Sequence, residues 1–177
     1  MGYLDTIRRV MSSDFRDATP EERDRAARDV IEICSFACAG LVLQPVPVVE
    51  QAVLPVQVGM VGALAHVYGK ELSRKRAREV ILDLAAITGV SIIGRQALTT
   101  IAKVLLPGLG GVLSAPYAFS VTWGTGFAAI HYFRSGARPD KEKIREVFER
   151  ERAKSKGIYS EDKARENRPS DDEVGKE

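Results

Sequence analysis

From Val104 to Phe133 the chain runs about thirty residues without an Asp, Glu, Lys or Arg. That is longer than the roughly twenty apolar residues that suffice to cross a bilayer. The stretch is rich in small residues, among them Gly108, Gly110, Gly111, Gly124 and Gly126, which let helix backbones approach closely. Pro107-Gly108 and Pro116 interrupt it. A lipid-seeking hairpin and a tightly packed protein core both fit such a pattern.

The rest of the chain limits the choice. The 177 residues suit one domain with tails. A formal net charge of +2 gives no reason to expect a nucleic-acid partner. The apolar material lies between about Val30 and Phe133, with highly charged ends. Cys34 and Cys38, one helical turn apart in an apolar run, suit buried small residues in a reducing compartment better than a disulfide framework. The first residues lack the pattern of a signal peptide.

Read in order, residues 1–18 form an amphipathic helix, better suited to packing on the domain than to docking on a membrane surface. Thr19-Pro20-Glu21-Glu22 starts a helix, with Thr as N-cap, Pro in the first turn and acids beside the dipole; Pro45 and Pro47 stop it. A second helix covers about Val49–Gly69, with Pro55 in its first two turns. Ser73 caps a third, which runs to Pro107-Gly108. The fourth spans about Gly110–Phe133, kinked at Pro116. Asp140 opens a charged helix in which Glu149 and Arg145 are spaced to pair. From about Gly157 the low apolar content predicts disorder. No strand-like alternation with hairpin signals is present. The fold expected is all-α: a compact helical bundle of about four main helices at 19–137, an N-terminal amphipathic helix at 1–18, a charged helix at 138–156 and a polar tail at 157–177.

Several local signatures then fall in one order. They are Pro45-Val46-Pro47, Gln57-Val58-Gly59-Met60, Val67-Tyr68-Gly69-Lys70-Glu71-Leu72-Ser73 and Gly94-Arg95. Leu106-Pro107-Gly108-Leu109-Gly110-Gly111 and Gly126-Phe127-Ala128-Ala129-Ile130-His131-Tyr132-Phe133 follow, with Gly136 behind. Together, over about residues 25–137, they resemble the YcjF-like family, domain of unknown function six hundred and ninety-seven. Its members are commonly found behind an Era-like or dynamin-like GTPase in bacteria. The resemblance implies a helical, membrane-associated module acting with a GTPase. Val48-Val49-Glu50 departs from the acidic position the family often has after its Pro-x-Pro turn. No G-x-x-x-x-G-K-[ST] occurs in the chain, so a GTPase partner would be separately encoded.

Chemistry-bearing residues are sparse. His66 and His131 have no ligand partners at metal spacing, and no nucleophile elbow surrounds Ser114 or Ser120. The expectation is no enzyme, no cofactor and no metal. Arg74, Lys75, Arg76 and Arg78 crowd a helix start, where the dipole disfavours cations. Anionic headgroups or an acidic partner would supply the missing reason, and a solvated turn is the plain alternative. No aromatic residues interleave the cluster to make a nucleic-acid platform. Arg95 needs water or a counter-ion such as Glu50 or Asp83, and Trp123 suits a membrane interface or a core. Two spans, Gln51–Gly69 and Gly110–Phe133, would put the basic cluster opposite equally basic termini, so the positive-inside rule gives them no orientation. The expectation is a non-enzymatic, homo-oligomeric module on membrane lipids at the cytoplasmic face of the inner membrane, peripheral or inserted as a hairpin. A soluble oligomeric scaffold and a lipid or small-ligand carrier are the alternatives.

Overall fold

The computed structural model describes residues 2–43, 49–90, 110–136 and 139–170, with the backbone alone at 49–52 and 110–113. Among these residues lie seven helices and no strand. They are α1 (Tyr3–Ser12), α2 (Pro20–Val42), α3 (Val49–Val67), α4 (Arg74–Thr88), α5 (Gly110–Arg134), α6 (Lys141–Ser155) and α7 (Glu161–Glu166). The all-α expectation holds, with one helix more among the described residues than the four main and two flanking ones expected.

Local chemistry sets the starts. Thr19 and Glu22 form a reciprocal box: the Glu22 N–H donates to Thr19 Oγ1 at 3.2 Å and the Thr19 N–H to Glu22 Oε2 at 2.8 Å. Ser73 accepts from the Arg76 N–H at the head of α4, and Asp140 accepts two backbone N–H groups at the head of α6. The third helix ends far sooner than the sequence reading has it. Gly89 takes φ 72°, a left-handed stop that a side chain would resist, so α4 closes at Thr88 rather than at Pro107.

Three long helices make the centre. α2 runs antiparallel to α3, with Tyr68 near Asp24 at one end and Cys38 near Val53 at the other. It runs antiparallel to α5 too, Ile31 facing Gly126 and Phe36 facing Phe119. α3 and α5 are therefore parallel, joined by a buried hydrogen bond of 3.0 Å from Gln57 Nε2 to Thr122 Oγ1. α6 returns along α5, and α1 buries Tyr3, Thr6 and Val10 against α2 and α3. α4 leans on α3 and α6. Arg145, spaced in sequence to meet Glu149, instead donates from Nε to the Ile87 carbonyl at 2.9 Å, relieving a terminal acceptor of α4.

The stretch after Gly157 corrects a second expectation. Glu161–Glu166 is helical, capped by Ser160, and Ala164 is fully buried against α2. A Cβ placed on Gly40 would lie 2.2 Å from the Ala164 carbonyl oxygen, so the two backbones touch. Residues 171–177 lie outside the described residues.

Candidate membrane-contact surface and the packed glycine seam

α5 is where the lipid and protein readings of the charge-free stretch part. Ala115, Phe119, Val121, Ala128 and Ala129 are fully buried, and α2, α3 and α6 surround the helix. From residue 114 onward most of its apolar side chains are spent on protein contacts, while Pro116 is exposed and Tyr117, Phe127 and Tyr132 are half-buried. The membrane-interface reading of Trp123 is thereby corrected: the ring is 3% exposed and lies between Phe119 and Phe127, with centroids at 5.7 and 5.5 Å. Its Nε1 has no hydrogen-bond partner among the described residues.

The glycines of α5 separate by position. A Cβ on Gly126 would sit 2.5 Å from Ile31 Cγ1, and one on Gly124 would sit 2.8 Å from the Phe148 ring and 3.0 Å from the Phe148 carbonyl oxygen. Gly124 thus faces α6 and Gly126 faces α2, and α5 fits between them because neither residue carries a side chain. Gly110 and Gly111 are the first residues of α5. Gly108 and Arg95 lie outside the described residues, as does the whole of 91–109. Sequence reasoning missed Gly40, and the run of small residues Ala37-Cys38-Ala39-Gly40 was the signal for it.

The basic cluster stands at the surface. Arg74, Lys75, Arg76 and Arg78 are all exposed in the first turns of α4, which hold no acid in the opening turn. Arg76 is spoken for by Glu79, Nη1 to Oε2 at 2.7 Å, and that hydrogen bond, with Tyr132 nearby, raises its already high affinity for a proton. Ala77, Val80, Ile81 and Leu84 anchor the opposite face in the core. One turn beyond Arg78, Leu82 is 44% exposed, so α4 presents cations followed by an apolar side chain.

A polar knot ties the neighbouring end of the bundle. The Tyr68 hydroxyl donates to Asp24 Oδ1 at 2.8 Å and accepts from Arg134 Nη2 at 3.1 Å, while Arg134 also pairs with Asp24 and lies over the Tyr68 ring. Burial and the bond to Asp24 push Tyr68 from 10.0 up to about 12. His66 Nε2 sits 2.9 Å from the Ser13 carbonyl oxygen, so that nitrogen carries the proton, and Phe15 meets the ring edge-on. Cys34 and Cys38 are buried, and burial together with Cys38 holds the Cys34 thiol well above its ordinary value. Among the described residues no group of His, Cys, Asp and Glu is placed to hold a metal ion. No described helix is long and apolar enough to cross a membrane.

Residues 8–157 match the family described as Domain of unknown function (DUF697). The match is wider than the 25–137 over which the motifs fall, reaching from α1 to the end of α6. A relative in Magnetospirillum gryphiswaldense, "Magnetosome membrane protein 22", is 27% identical over 167 residues, covering 88% of this chain and 85% of its own. No solved structure matches.

Proposed function

The chain belongs to the DUF697 family, and from that premise we propose that it is a non-catalytic module held peripherally on a membrane through the start of α4. The observation that carries this reading is the exposed Arg74, Lys75 and Arg78 beside the exposed Leu82. A helix start disfavours cations, and anionic headgroups supply about 1 kcal/mol per basic residue near the surface. That a relative aligned along most of both chains carries the name of a membrane protein supports the same reading. The surface in question is the cytoplasmic face of the inner membrane, and the module works with a separately encoded GTPase or within an assembly. Co-purification lacking any GTPase would count against that partner. Self-association, as a scaffold would need, has to use surfaces other than the buried faces of α5.

The test is flotation of detergent-free protein on phosphatidylglycerol vesicles and on phosphatidylcholine vesicles, for the wild type and for the triple variant Arg74→Gln, Lys75→Gln, Arg78→Gln. Three cations at about 1 kcal/mol each correspond to roughly a hundredfold weaker partition. The wild type floats with the anionic vesicles and the variant does not. Removing cations from a helix start does not weaken the helix, so a variant that stays folded yet floats like the wild type overturns the reading.

A further inference from the structure

A cleft of about 500 Å³ opens between the first half of α5 and the second half of α6 and is closed at one side by Tyr159. Its lining is mixed. Pro116 and Tyr117 give it apolar and aromatic surface, while Arg152, Lys156 and Glu149 give it charge. Arg152 lies over the Tyr117 ring, 5.4 Å from its centroid, and its carboxylate neighbour Glu149 approaches no nearer than 3.7 Å. A guanidinium held that loosely keeps most of its N–H groups for another acceptor. The Tyr159 hydroxyl is buried and has no hydrogen-bond partner among the described residues, and its ring packs edge-on against Phe119.

We propose that this cleft binds a phosphate monoester with an apolar body. The phosphate sits on Arg152 and Lys156, and the apolar part lies along Pro116 and Tyr117. A planar guanidinium suits phosphate oxygens. Small-ligand sites combine an apolar wall with a few convergent polar groups in this way. Glu149 limits the charge of the site, since the anion must take its place beside Arg152. The phosphate ester could be the head of an anionic lipid or a free metabolite. The cleft is distinct from the surface at α4: Arg76 senses Tyr132, fifteen residues along α5 from Tyr117, or roughly 22 Å of helix rise.

The experiment is titration calorimetry on the full chain with three probes: dihexanoyl phosphatidic acid below its micelle concentration, glycerol 3-phosphate, and dihexanoyl phosphatidylcholine. Phosphatidic acid binds the wild type, and Arg152→Gln weakens it about tenfold or more, the scale of a lost bond to a charged group. Lys156→Gln, a change at an exposed side chain, also weakens it without touching the core. The triple glutamine variant of α4 binds as the wild type does, which separates this site from the membrane contact. Glycerol 3-phosphate binding with the same dependence on Arg152 and Lys156 identifies a soluble ester as the ligand; binding of phosphatidic acid alone identifies a lipid. Three results overturn the proposal: neither monoester binds, phosphatidylcholine binds as tightly, or the affinity is unmoved by Arg152→Gln and Lys156→Gln in folded protein.

Discussion

Replacing three helix glycines by alanine separates a packed seam from a free surface. An alanine in a helix interior is favoured over glycine by about 0.8–1.0 kcal/mol. Gly62, inside α3, has no heavy atom within 4 Å of its missing Cβ, so Gly62→Ala keeps that gain. For a chain of this length the melting temperature rises by about 2–4 °C. At Gly126 the same gain meets Ile31 Cγ1 at 2.5 Å, and Ile31 is fully buried and branched at Cβ. Overpacking of this kind costs about 1–3 kcal/mol. At so short a contact the upper half of that range applies, leaving a net loss of about 1–2 kcal/mol. Gly124→Ala meets a buried aromatic ring at 2.8 Å and a backbone oxygen at 3.0 Å, and loses a similar amount. The two glycines press on different helices, so the double variant falls by on the order of 10 °C. Differential scanning calorimetry reads all four proteins. Should Gly124→Ala and Gly126→Ala raise the melting temperature as Gly62→Ala does, the close packing of α5 between α2 and α6 is wrong.

Gly40→Ala drives a Cβ into the Ala164 carbonyl, so amide exchange over residues 158–170 accelerates while the α2, α3 and α5 core stays protected. Tyr68 holds its proton to about pH 12 in the fold against about 10 in the unfolded chain. Its contribution is therefore whole below pH 10 and is lost as pH rises towards 12. Because the group is half exposed, about 1 kcal/mol remains after solvent screening, and the gap in urea midpoint between wild type and Tyr68→Phe narrows from pH 9 to pH 11.5. Ser73→Ala removes the acceptor for the Arg76 N–H and costs about 1 kcal/mol by the same urea titration.

What the sequence made legible were features written in adjacent residues. Thr19-Pro20-Glu21-Glu22 and Ser73 announce helix starts because a cap and its partner lie within three residues of one another. The stop at Gly89 was hidden, since a glycine in an apolar periodic run continues a helix or ends it according to a φ that the sequence does not print. The fate of the tail was hidden for a different reason. The six residues of α7 are too few and too charged to show a periodic face, and one alanine on one glycine, Ala164 on Gly40, docks them. Lipid and protein reward the same apolar composition, so Val104–Phe133 could not declare its surroundings. The exposed start of α4 was readable because its cations sit where helix electrostatics disfavours them.

Trp123, the single tryptophan of the chain, tests most directly whether the charge-free helix lies in protein or in lipid. Its fluorescence is to be recorded with the protein bound to anionic vesicles containing phospholipids brominated along the acyl chain. If α5 is enclosed by α2, α3 and α6, emission is blue-shifted and the brominated lipids leave its intensity unchanged while the protein is on the vesicle. Strong quenching by the brominated chains would place the Trp123 ring in the hydrocarbon and contradict the account.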